Sequence, residues 1–69
     1  MRDFSDIIRE LRKEKGLSQK SLAEALGMTE RVIRYYEAKQ HRPDLDVLIQ
    51  IAQYFEVSLD YLAGLSDER

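Results

Sequence analysis

Residues 19–38 read QKSLAEALGMTERVIRYYEA, and the spacing of their apolar side chains decides the fold. Leu22, Ala23 and Leu26 fall on one face at the i, i+3, i+4 spacing of an amphipathic helix. Ile33 and Tyr36 repeat that spacing further on, with Val32 beside them. Between the two patterns stand a stop and a start. Gly27 suits the left-handed residue that ends a helix, because it has no Cβ to clash. Thr29 follows as an N-cap, its hydroxyl suited to accept from a free amide of the next first turn. The result is two short helices on either side of a tight turn. The first is N-capped by Ser18 and reaches about Leu26; the second runs from the Thr29 cap to roughly Ala38.

This grammar fits a helix-turn-helix, a motif whose second helix commonly lies in the major groove of DNA. Working outward, Phe4, Ile7, Ile8 and Leu11 form a helical stripe with Asp3 or Ser5 as its cap, and Gly16 stops it near residue 15. Residues 39–43 form a loop. Pro43 keeps Arg42 out of helical geometry and sets up a new start at Asp44. Leu45, Leu48, Ala52 and Phe55 mark the buried stripe of a fourth helix, with Ile49 and Ile51 flanking it. Ser58 starts a short fifth helix carrying Leu59 and Leu62, and Gly64 ends it. No strand pattern survives inspection. The expected fold is all-α with five helices: one domain over residues 1–65, then a frayed polar tail, SDER, over 66–69.

A chain of 69 residues is one domain, and at this size it buries only about 60% of its unfolded surface. It has no cysteine and a single histidine, so neither disulfides nor a metal cluster can staple it. Helix packing, with help from a partner subunit, must hold it. Absence of cysteine suits a reducing cytoplasm. No apolar run approaches the ~18 residues of a membrane span, and no signal-peptide pattern opens the chain. A soluble cytoplasmic protein is therefore expected, with no metal, no cofactor, no membrane and no small-molecule ligand; His41 reads as a loop residue. Enzymatic chemistry is not expected. There is no nucleophile–histidine pairing and no Gly-rich phosphate loop, and Asp44 and Asp46 at i, i+2 do not face each other on a helix.

The net charge of −2 conceals an asymmetry. Residues 1–42 hold ten Lys/Arg against seven Asp/Glu, whereas residues 43–69 hold one Arg against six acids. The basic half coincides with the helix-turn-helix. Since fields act locally, a basic face can meet phosphates on an acidic protein; the other reading is a salt-bridged, solvated surface.

The stretches LRKEKGLSQKSLAEALGMT, IRYYE and RPDLDVLIQIAQYFEVSLDYLAG, spanning Leu11 to Gly64, resemble the phage-repressor/Cro (Xre-type) helix-turn-helix DNA-binding proteins. Ala23, Gly27, Ile33 and Tyr36 stand at the family's fixed offsets. A small residue at 23 lets the helices approach, Gly27 supplies the turn, and Ile33 and Tyr36 lock the second helix to the core. The resemblance implies a compact lambda-repressor-like five-helix domain. The sequence departs from the pattern in three places. Lys39 stands where a glycine is usual, so the third helix is expected to run on slightly or end differently. Lys20 and Ser21 replace acidic residues, and Ser21 weakens a capping box with Ser18.

With Ile33 and Tyr36 inward, Glu30, Arg31, Arg34 and Tyr35 point outward, and the resemblance assigns base reading to these positions. Arg31 and Arg34 suit bidentate contacts with guanine. Glu30 suits a cytosine amino group or the holding of an arginine, and Tyr35 a thymine methyl or a phosphate. The competing reading is a solvated face with pairs such as Glu30–Arg34. Gln19 opens the second helix, where free amides favour an anion, and in the family its counterpart donates to a phosphate. Thr29 combines a phosphate position with its cap. Lys39, Gln40 and Arg42, in the loop after the recognition helix, and Lys20 complete the expected phosphate set, which positions the protein without reading sequence. The resemblance also pairs Arg12 with Glu37 as a largely covered, architectural ion pair. The implied function is a sequence-specific double-stranded DNA-binding regulator, a repressor acting as a homodimer on a two-fold operator. The acidic second half, with Leu59, Tyr61 and Leu65, is the expected dimer surface. The alternative is a protein-interaction module on the same fold, as in an antirepressor or antitoxin partner.

Overall fold

The computed structural model describes residues 2–69 and contains five α-helices: α1 (Phe4–Glu14), α2 (Gln19–Leu26), α3 (Glu30–Glu37), α4 (Leu45–Phe55) and α5 (Leu59–Leu62). Among the described residues there is no strand, and no helix is long and apolar enough to cross a membrane. Four helices begin as their sequences dictate. The side chains of Ser18, Thr29, Asp44 and Ser58 each accept from the backbone N–H three residues on, satisfying donors that a helix start leaves free. The Ser18 cap is only half of a capping box: its hydroxyl donates to the Ser21 hydroxyl at 2.9 Å. The start of α1 differs from expectation. Asp3 occupies the cap position without a side-chain cap bond, and Ser5 lies inside the helix, buried. Asp3 has turned instead to Lys39, whose Nζ lies 3.3 Å from its carboxylate.

All five helices end in one way. A residue with φ between 57° and 82° follows each, at Gly16, Gly27, Lys39, Glu56 and Gly64. The N–H beyond it reaches back to a carbonyl five residues earlier, as from Met28 to Ala23 at 2.8 Å and from Gln40 to Tyr35 at 2.9 Å. This is the Schellman closure, which satisfies the free carbonyls of a helix end. So α3 does not run on for want of a glycine. Lys39 takes the left-handed conformation itself, at φ 63°, a strain of about 1 kcal/mol that the two closing bonds outweigh.

The core forms where α1, α2 and α3 meet and is closed by α4 and α5. Ile8, Leu22, Ile33, Ile51 and Leu62, one from each helix, are fully buried. Ala23 is nearly so, and its small side chain admits α3 against α2. Phe4 and Tyr36 meet edge to face at 5.9 Å, joining α1 to α3. Three expectations for the second half need correction. Leu45 is 63% exposed and Ile51 is fully buried. Periodicity identified the correct face of α4, but Leu45 sits in a first turn that overhangs the core, and Ile51 fills the centre. In α5 the inward residues are Tyr61 and Leu62, while Leu59 is partly exposed. Tyr61 therefore cannot belong to a dimer surface, because it packs in the core and its hydroxyl faces Arg2. Nor is the tail free. The Arg69 carbonyl accepts from the Ser58 N–H at 2.7 Å, and the Arg69 guanidinium bonds Glu14 at 2.8 and 2.5 Å.

Candidate nucleic-acid interface

The position of α3 is set from its last residue. Glu37 is buried, and three donors converge on its carboxylate: Arg12 Nε at 2.7 Å and Nη2 at 3.1 Å, and Gln19 Nε2 at 3.1 Å. Arg12 also donates to the Leu17 carbonyl at 2.8 Å, so α1, the α1–α2 turn, α2 and α3 share one network. Arg9 adds a bond to the Glu37 backbone carbonyl at 3.2 Å. A carboxylate removed from water is tolerable when fully hydrogen-bonded and charge-compensated, and Glu37 is both. The ion pair expected between Arg12 and Glu37 is present, with Arg12 only 12% exposed. Gln19 has a part that the sequence did not reveal: its side-chain amide donates to Glu37, and the side chain is only half-buried.

With its inner edge fixed, α3 presents the opposite side. Ile33 and Tyr36 are buried, Glu30, Arg31 and Arg34 are exposed, and Tyr35 is half-buried. The positions beside them, Lys20, Thr29, Gln40 and Arg42, are exposed too. Among the described residues Lys20, Arg31, Arg34 and Arg42 make no ion pair, and Glu30 does not pair with Arg34. By contrast Arg2, Arg9, Arg12, Lys39 and Arg69 each face a carboxylate. Lys13 and Lys15, at the end of α1, also lack a carboxylate among the described residues, and the other four unpaired side chains stand on α2, α3 and the loop that follows. Lys39 is the exception within the expected set, since Asp3 holds it. Burial is the largest single influence on Asp3 and works against its ionisation, but hydrogen bonding to Lys39 and Ser5 and the Lys39 charge together outweigh it and keep the carboxyl below its ordinary range.

Chemically, this surface offers planar guanidinium forks, point charges and free helix-start amides without a buried nucleophile or a cluster of metal ligands, which suits recognition of an anionic polymer. A family model described as helix-turn-helix matches residues 8–62. The chain belongs to the helix-turn-helix family.

Helix-turn-helix relatives agree with the geometry. The chain is 40% identical over 67 residues to an uncharacterized HTH-type transcriptional regulator, YqaE, of Bacillus subtilis, covering 96% of this chain and 58% of that protein. It spans about half the length of the curated relatives it matches. A transcriptional regulator from Listeria innocua superposes with a TM-score of 0.85 at 36% identity, over 97% of this chain and 63% of that one. The DNA-binding domain of the P22 c2 repressor superposes with a TM-score of 0.82 at 26% identity, over 99% and 92%. The five-helix fold of the phage repressors is therefore the fold of this helix-turn-helix chain, as the sequence resemblance implied.

Two residues near the interface escaped the sequence reading. Arg9 stands one helical turn before Arg12, so the α1 stripe places both on one face; that spacing was the available signal. His41 packs on Tyr35, with ring centres 5.2 Å apart, and nothing in the local sequence announces this contact.

Proposed function

We propose that this chain is the operator-binding part of a transcriptional repressor, which pairs as a homodimer on a two-fold site and acts by covering a promoter. The observation that carries the reading is the cluster of exposed cations without carboxylate partners on α2, α3 and the following loop, set around a helix anchored from behind by Glu37. In this reading Arg31 and Arg34 read guanines bidentately, and Glu30 and Tyr35 complete base recognition. Gln19, Lys20, Thr29, Gln40 and Arg42 hold phosphates, joined by Lys39 once it leaves Asp3. The names of the relatives support regulation of transcription, and the likeness to the DNA-binding domain of the P22 c2 repressor supports DNA as the target. Leu59 and Leu65, both exposed in the acidic half, are the apolar residues offered for pairing. A pair of such domains expects half-sites about 34 Å apart.

Selection of bound duplexes from a random pool, followed by titration of the selected duplex across salt concentrations, tests the reading. A two-fold motif and a steep loss of affinity with salt, close to about −0.9 logarithmic units per phosphate contacted, are expected. A flat salt response overturns direct DNA binding. Recovery of a tight protein partner with no duplex retained favours the interaction-module alternative.

A further inference from the structure

Three side chains stack along the outward side of α3 and across the turn after it. The Arg31 guanidinium lies 5.9 Å from the centre of the Tyr35 ring. That ring lies 5.2 Å from the His41 imidazole, with the planes inclined at 44°. Tyr35 is thus bracketed between the first turn of its own helix and the loop. The left-handed turn at Lys39 brings His41 there, because the Gln40 N–H closes on the Tyr35 carbonyl at 2.9 Å and the Lys39 N–H on Tyr36 at 3.3 Å. Arg31 and His41 are exposed and Tyr35 is half-buried, so the stack adds nothing to the core. It orders side chains on the surface where the unpaired cations gather.

We propose that His41 is a positioning residue for base recognition, holding Arg31 through Tyr35 and thereby sharpening discrimination at the base pair that Arg31 faces. The inference rests on the reading of α3 as the groove-facing helix. A guanidinium stacks through its face and keeps its edge of N–H donors free for a bidentate partner. An arginine ordered before it binds loses less rotamer freedom on docking. The gain falls on one base pair, because Arg31 alone is ordered, and it leaves the count of phosphate contacts unchanged.

The test compares wild type, His41→Ala and His41→Phe on the selected duplex and on the three substitutions of the base pair whose discrimination Arg31→Ala removes. His41→Ala should lower discrimination at that pair by roughly two- to tenfold, the range expected for ordering one long side chain. Other positions and the salt slope should hold, and His41→Phe, which keeps a ring against Tyr35, should restore most of the loss. Unchanged discrimination in His41→Ala overturns the proposal. So does an equal loss on every duplex with the salt slope reduced by about one, which is the signature of a phosphate contact. A lowered melting temperature with discrimination lost everywhere assigns His41 to the fold and also overturns it. Failure of the wild type to retain any duplex is visible without the variants and removes the groove reading together with this one.

Discussion

Substituting Glu37 by glutamine tests whether one buried carboxylate sets the position of α3. The replacement keeps the shape but removes the charge, and turns an N–H₂ group toward donors that already fill the site. The amide keeps one acceptor oxygen, so the site loses either the Arg12 Nε bond at 2.7 Å or the bonds from Arg12 Nη2 and Gln19 Nε2, both at 3.1 Å, and the Arg12 charge loses its counter-ion in either case. Breaking a buried pair on one side costs about 3–5 kcal/mol. The lower end applies here, because Arg12 keeps the Leu17 carbonyl at 2.8 Å and is 12% exposed. Arg9 adds little, since its Nε stands 4.0 Å from the carboxylate and the side chain is 41% exposed. At roughly 0.05–0.15 kcal/mol per residue, a domain of this size has about 3–10 kcal/mol in total. The substitution should therefore remove a third or more of the stability. Melting by circular dichroism should fall by roughly 12 °C or more, at 4–8 °C per kcal/mol for small domains. Arg12→Leu combined with Glu37→Leu should be less destabilised than the sum of the two single variants. A loss below about 1 kcal/mol for Glu37→Gln, the range of exposed pairs, would refute the reasoning.

Other outcomes follow from the helix ends and the surface charges. Lys39→Gly should stabilise by about 1 kcal/mol in urea unfolding, because the left-handed strain at φ 63° disappears; no gain would mean that the Asp3 contact compensates for it. Gly64→Ala should be far more damaging than Gly16→Ala, which meets open space, because a Cβ at 64 overlaps the Arg2 carbonyl oxygen; equal melting temperatures for the two variants would contradict that packing. Asp3→Asn should release Lys39, which Asp3 now holds at 3.3 Å, and steepen the salt dependence of duplex binding by about one phosphate equivalent; an unchanged slope would remove Lys39 from the phosphate set. Glu14 is held below its ordinary range by the Arg69 hydrogen bond, with burial opposing. Its contribution is complete above the unfolded-state value and lost as pH falls through the lower folded one, so Arg69→Ala should lower stability at neutral pH and flatten the acid limb of a stability–pH curve, with the two proteins converging once Glu14 is protonated in both.

Much of the fold was legible because its signals are local. Ser18, Thr29, Asp44 and Ser58 announce helix starts through side-chain chemistry that acts within one turn, and Ile33 and Tyr36 announce a face through spacing alone. What escaped depends on distance along the chain. Lys39 and Glu56 close helices in a conformation that the chain adopts because the bonds beyond it reward it, and neither residue type advertises that choice. Leu45 has the right phase, but its exposure depends on where the core ends, which periodicity does not encode. Tyr61 and Arg69 find partners 59 and 55 residues away. In the candidate site, the outward set on α3 followed from the inward set by subtraction. The capture of Gln19 by Glu37 and of Lys39 by Asp3 did not, since each joins separate helices or turns.

The convergence on Glu37 also separates two kinds of change open to this chain. Every bond that orients α3 from behind ends on its final residue, and Ile33 and Tyr36 provide the remaining grip. Glu30, Arg31 and Arg34 contribute to neither. The front of α3 is consequently an exchangeable cartridge: its outward side chains can be replaced together while the mounting stays in register. A lineage of such chains can diversify its targets without rebuilding its scaffold, and an engineer can graft a foreign set of outward residues with little penalty to folding.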